Sequence, residues 1–231
     1  TSGSQQKLNT TSTKQDFTNI IATNNSSLSK EKLSQSTVQS GKQQAKQNAS
    51  SPSKAPSADL PLLQQAISST WDWLKTQASK PDFANILTKA FSGGSPDSQW
   101  KNKTQTLTQA LLSGGLTNLR FEYADSATMQ GLLGAFAGDH PSGKPTVLIN
   151  SGWFAKASTD QKLKLLVQEI GHAIDARLNG SKIDSRGDEG SYFAQLLTTN
   201  NPDTLDAKKF NYNDHYTLLI NGKAIAVEAS A

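Results

Sequence analysis

Val167-Gln168-Glu169-Ile170-Gly171-His172-Ala173-Ile174-Asp175 sets an acid, an imidazole and a second acid at steps of three. On a helix, residues three and four apart share a face, so the three side chains form one row. Zinc peptidases use H-E-x-x-H for this reason: two imidazoles one turn apart hold the ion, and the Glu between them takes a proton from water. In this chain His172 occupies the second His position and Glu169 that of the base, while Gln168 replaces the first His. Gln is neutral and weakly basic, a poor zinc ligand. The residues alone therefore fit either a metal-centred site or a hydrogen-bonded polar seam along a helix.

A second cluster, Gly187-Asp188-Glu189-Gly190, opens another helical stretch. Acids at a helix start are favoured by the helix dipole whatever their function. Glu189 also lies 17 residues beyond His172, enough for one helix to end and a second to return a carboxylate opposite the imidazole. His140 and His215, each in a turn sequence, are further ligand candidates. An oxygen-rich set of Glu169, Asp175, Asp188 and Glu189 would suit calcium, although a lone imidazole is an unusual ligand for that ion.

The elements that must carry these residues can be read from periodicity. Ser158-Thr159-Asp160-Gln161 has capping-box spacing, and Leu163, Leu165, Leu166, Ile170, Ala173, Ile174 and Leu178 continue a helix to the stop at Asn179-Gly180. A polar loop over 181–187 precedes a helix from Asp188 through Leu197. Strands are expected at Leu119–Tyr123 and Thr146–Asn150. Asn221-Gly222 between apolar runs predicts a terminal hairpin. Earlier, three packing helices are expected. The first carries an inward stripe of Leu60, Leu63, Ala66, Ile67, Trp71 and Leu74, the second spans Phe83–Phe91, and the third starts at Asp97 and stops at Gly114-Gly115.

Composition divides the 231-residue chain at about residue 58. Residues 1–58 are mostly Ser, Thr, Gln, Asn, Lys and Ala, with few large apolar side chains and one aromatic, Phe17, and carry a net charge of +5, whereas 59–231 carry −1. A segment with so little apolar surface cannot offset its ordering entropy, so a disordered basic tail is expected. The tail also accounts for the mean hydropathy of −0.54 and the pI near 9.2. It has no Arg and no interleaved aromatics, which argues against specific nucleic-acid binding. The absence of Cys excludes disulfides, thiolate metal sites and Cys nucleophiles. No apolar run is long enough for a transmembrane segment. The expected fold class is α+β: a helical part over 59–115, then over 116–231 a small sheet against the motif helix and a terminal hairpin.

Gly131–Ala137, Thr146–Ile149, Gln168–Asp175, Gly187–Gly190 with Phe193, and Asn221–Lys223 with Val227-Glu228 together resemble a domain of large secreted bacterial proteins that carry haemolysin-type calcium-binding repeats. In that domain the motif reads approximately E-E-I-G-H-x-x-D followed by G-D-E-G. More loosely, the order of elements is similar to zincin metallopeptidases of the lethal-factor type. Two departures stand out: Gln168 replaces the first zinc His, and Ser191 occupies the place of the carboxylate that precedes the aromatic pair. The resemblance implies a zincin-like metallopeptidase scaffold over 59–231, an extracellular setting and a protein or peptide substrate. It also implies zinc held by His172 with Glu189 or Asp188, Glu169 as the catalytic base, and Asp175 and Gln168 supporting the ligands. Tyr192 or Tyr216 would stabilise the oxyanion. The alternative is a non-catalytic binding or adhesion module on the same scaffold, with calcium as the alternative ion.

Overall fold

The computed structural model describes residues 59–93, 96–180, 187–199 and 201–230. The expected basic tail over 1–58 and most of the expected loop over 181–187 lie outside them.

Three helices open the chain: α1 (Asp59–Ala78), α2 (Phe83–Phe91) and α3 (Trp100–Leu112). Then follow β1 (Arg120–Ala124), the one-turn α4 (Ser126–Met129), β2 (Gly134–Ala137), β3 (Thr146–Asn150) and the one-turn α5 (Ser151–Phe154). The motif helix α6 (Thr159–Asn179), α7 (Glu189–Thr198), two 3-10 turns at Pro202–Thr204 and Ala207–Phe210, and the hairpin β4 (His215–Ile220) and β5 (Lys223–Ser230) complete the chain. The five strands form one mixed sheet in the order β1-β3-β2-β5-β4, with β1 and β3 parallel and the other pairs antiparallel. The architecture is α+β, as the sequence predicts. Among the described residues no helix is long and apolar enough to cross a membrane.

Several local signals act as expected. Ser158 and Gln161 form the capping box reciprocally and start α6, which Gly180 ends. Asn221 and Gly222 take φ of +52° and +77°, the left-handed pair that a two-residue hairpin turn requires.

Two elements differ from expectation. Leu63 and Leu74 of the expected α1 stripe are buried and Ala66, Ile67 and Trp71 half-buried, but Leu60 is exposed, and Thr70, Trp73, Gln77 and Ala78 are buried beside them. Trp71 turns aside to meet Phe121 of β1 edge-on at 6.1 Å, with Gly115 beneath it. The second difference is β2. Gly-Ala-Phe-Ala has no β-branched residue and little strand signal, yet it is fully buried between β3 and β5.

The sheet has two different faces. Ala135, Ala137, Leu148, Leu218, Val227 and Ala229 gather with Met129 and Leu132 in one apolar cluster. Strand alternation turns Gly134, Phe136, Glu228 and Ser230 to the other face, which packs against α6. Behind α6, α2 and α7 meet through Phe83, Phe91 and Phe193, with Phe193 5.2 Å from Phe91 and 6.4 Å from Phe83. Each of these rings is almost wholly buried, which contributes about 2 kcal/mol apiece. The motif helix is thereby held rigidly between an apolar helical layer and a sheet face that carries carboxyl and hydroxyl groups.

Candidate metal centre

His172 is completely buried on α6, and carboxylates reach it from three elements. From the start of α7, Glu189 Oε1 lies 2.8 Å from Nδ1. Glu228 Oε2 of β5 lies 3.2 Å from the same nitrogen, and Asp214 Oδ2, just before β4, lies 3.7 Å from it. On the far side of the ring Asp188 Oδ1 is 3.7 Å from Nε2. Glu169, also fully buried, accepts a 2.5 Å hydrogen bond at Oε1 from the Ser230 hydroxyl.

The local sequence explains how so many groups converge. One turn separates Glu169 from His172 on α6, and alternation along β5 sends Glu228 and Ser230 to the α6 side. Asp188 caps α7 through Ser191 N–H at 2.6 Å, which orients the next residue, Glu189, toward the imidazole. Two glycines permit the approach of α7 to α6. A Cβ on Gly171 would lie 2.8 Å from Gly190 Cα. One on Gly190 would lie 2.6 Å from the Gln168 carbonyl oxygen and 2.7 Å from His172 Nε2.

The expected site residues are therefore brought together, with changed roles for some. Gln168 bonds to no ligand position on His172; its Nε2 donates to Asp188 Oδ2 at 3.0 Å. Asp188 is well satisfied, since it also accepts from Tyr212 O–H at 2.9 Å. Asp175 is buried and accepts from Asn179 Nδ2 at 2.8 Å, and the carboxylate on His172 Nδ1 is that of Glu189. His140 sits elsewhere, on the β1 side of the sheet, 3.2 Å from Glu122 and bonded to Ser142. The His215 side chain is about half exposed, and its Nε2 lies 4.0 Å from Asp214 Oδ1. Tyr192 is buried against Phe210 and Tyr216 is exposed; the tyrosine that reaches the centre is Tyr212.

Asp214, Glu228, Tyr212 and Ser230 are thus components that motif spacing misses. A signal for Glu228 exists: in Ala226-Val227-Glu228-Ala229-Ser230, a lone acid stands at an alternate position of a strand otherwise built for burial.

Electrostatically the centre is overloaded with acid. Glu169, Asp188, Glu189, Asp214 and Glu228 surround one imidazole. Burial pushes Glu169 up to about 7, against the pull of His172 and the Ser230 hydroxyl. Burial likewise pushes Glu189 up to about 7 and Asp214 up to about 6. Burial disfavours a charged His172, but the Glu189 hydrogen bond, the close Glu228 carboxylate and the charges of Glu189 and Glu169 outweigh it and hold the imidazole well above its usual value. Even so, Glu169 Oε2, Glu189 Oε2 and His172 Nε2 have no hydrogen-bond partner, and Glu228 Oε2 and Asp214 Oδ2 have only the charge contact with His172 Nδ1, without hydrogen-bond geometry. Buried polar atoms are normally paired, and this many without partners in one place form a group that could hold a cation. Two sets have ligand atoms close enough to share an ion: His172, Glu189 and Glu228, and His172, Asp188 and Asp214.

Compared with protein-family models, curated proteins and solved structures, the chain matches none of them.

Proposed function

We propose that residues 59–231 form a divalent-cation-dependent hydrolase domain on a zincin-like scaffold, with His172, Glu189 and Glu228 as the ligands and peptide bonds as the substrate. The supporting observation is the group of carboxylate oxygens without hydrogen-bond partners around the wholly buried His172. Those residues fit a cation: three ligand atoms converge, they come from α6, α7 and β5, and several buried acids share the one imidazole. One imidazole with carboxylates suits zinc or manganese better than calcium. A bound divalent ion supplies Lewis acidity for polarising a carbonyl. Glu169 is the proton carrier of the chain itself. In the ion-free fold burial raises its carboxyl to about 7, and beside a bound cation the ionised form, which accepts a proton, would be favoured. The Ser230 hydroxyl fixes its orientation. The likeness to secreted bacterial domains supports the extracellular setting and the peptide substrate.

One observation favours a second reading, a non-catalytic binding module: His172, Glu169, Glu189, Asp188 and Asp214 are each at most 3% exposed, which closes the centre to a peptide. Metal-stripped protein titrated with Zn²⁺ or Mn²⁺ tests both readings. One ion per chain in the wild type and none in His172→Ala is the expected result. Glu228→Gln should weaken binding at least tenfold. If Glu169→Gln then keeps the ion and abolishes cleavage of unstructured peptides, the hydrolase stands; if the ion-loaded wild type cleaves nothing, the module is the better account. Failure of the wild type to bind either ion removes the hydrolase and leaves the module, with calcium or hydrogen bonds alone at the centre.

A further inference from the structure

Between α7 and β4, residues 201–214 run across the end of α7 that carries Asp188 and Glu189. Most of the segment is exposed: all but Pro202, Leu205, Phe210 and Asp214 are on the surface. Its attachments are few and mostly concentrated at the metal centre. Phe210 O accepts from Asp188 N–H at 2.8 Å, the Phe210 ring rests 5.0 Å from that of Tyr192, and the Tyr212 hydroxyl donates to Asp188. Gly187 lies so close beneath that a Cβ there would sit 2.4 Å from Phe210 O. At the other end Asp203 pairs with Lys89 on the surface. The segment ends at Asp214, 3% exposed, with Oδ2 lacking a hydrogen bond and 3.7 Å from His172 Nδ1.

We infer that residues 201–214 form a strap over the centre which the cation itself fastens, by drawing in the Asp214 carboxylate. The inference rests on cation binding at His172 and not on turnover. A segment with many exposed residues and few packed contacts opens at low free-energy cost. A buried carboxylate at its root, whose Oδ2 makes no hydrogen bond, makes the closed form worse still when no ion is present, because the single His172 imidazole, shared among several acids, offsets its burial only in part. An ion held by His172, Glu189 and Glu228 reverses that balance, since Asp214 then faces positive charge. A ligand that binds the closed form better than the open one shifts the population toward it. In the hydrolase reading the strap governs access to the centre.

Exposed Lys208 and Lys209 lie in the middle of the strap, and exposed Lys156, between α5 and α6, provides an internal control. Digestion of the full chain with a lysine-specific serine protease, with Mn²⁺ or with chelator, is expected to show cleavage after Lys208 and Lys209 slowed at least tenfold by the ion while cleavage at Lys156 changes less than twofold. When opening is fast, cleavage reports the open population, so tenfold corresponds to about 1.4 kcal/mol. Asp214→Asn, with ion occupancy confirmed by elemental analysis, should lose most of that protection. Tyr212→Phe should speed cleavage in chelator yet remain protected by Mn²⁺. Bound Mn²⁺ without protection of the strap would overturn the inference and leave the proposed function intact, and so would equal protection in Asp214→Asn and wild type. Absence of binding of both Mn²⁺ and Zn²⁺ by the wild type would overturn this inference and the hydrolase reading together. Should Asp214→Asn hold no ion, the comparison of strap and Lys156 cleavage in the wild type still decides.

Discussion

Replacing Glu169 by Gln in the ion-free protein tests the electrostatic account of the centre directly. The substitution keeps the side-chain shape and an oxygen to accept from Ser230, but removes the ionisation. Burial moves the wild-type carboxyl from 4.5 to about 7. At about 1.4 kcal/mol per pH unit, ionising it inside the fold costs about 3 kcal/mol more than in the unfolded chain. A carboxyl with a raised value in the fold keeps its proton longer there. Between pH 4.5 and about 7 the folded state therefore binds more protons than the unfolded state, and stability falls as pH rises. Gln has nothing to lose. Relative to wild type, Glu169→Gln should thus be more stable at pH 8 by about 3 kcal/mol before any packing cost, and at pH 5 by about 1 kcal/mol, where the unfolded Glu is still partly protonated. The difference between the two pH values cancels the packing cost, which is the same at both. Urea denaturation at each pH measures it, and melting should separate by roughly 2–4 °C per kcal/mol for a domain of this size. Saturating Zn²⁺ or Mn²⁺ should shrink the difference, since the ion offsets the charge. An advantage no larger at pH 8 than at pH 5 would show that Glu169 ionises at little cost, and the reasoning from burial would fail.

Gly190→Ala should destabilise the domain by roughly 2–3 kcal/mol through overpacking, because its Cβ meets the Gln168 carbonyl and His172 Nε2 below 3 Å; chemical denaturation measures this. Gln168→His, which would complete H-E-x-x-H, should raise zinc affinity less than tenfold by calorimetry, since Nε2 packs on Gly190 while Glu189, Glu228 and Asp214 gather about Nδ1. Cation binding at pH 6.5 should release at least one proton, because Glu189 and Glu169 sit near 7 and His172 is held high. Calorimetry in buffers of different ionisation enthalpy counts that proton, and affinity should rise from pH 6 to 8.

The elements that rest on local chemistry were legible in the sequence. A capping box, a 3.6-residue apolar period and a terminal Gly define α6 without help from the rest of the chain, and Asn221-Gly222 needs only its own backbone preference to turn the hairpin. For the same reason Glu169, His172, Asp188 and Glu189 stood out: their spacing along helices is itself the signal. Tertiary packing decided the remainder. Leu60 lies on the same side of α1 as buried Ala78, about five turns on, so the helical period is kept; whether a position on that side is covered depends on where α6 and α3 pack. Strand β2 exists because β3 and β5 pair with it on both sides, and its own four residues carry almost no preference. Asp214 and Glu228 lie 42 and 56 residues beyond His172 and become its neighbours only when the hairpin joins the sheet beside α6. Spacing along a chain reports contacts within a helix or a turn. The distance between a helix and a strand is set by the side chains packed between them, and here two glycines and a row of inward carboxylates set it.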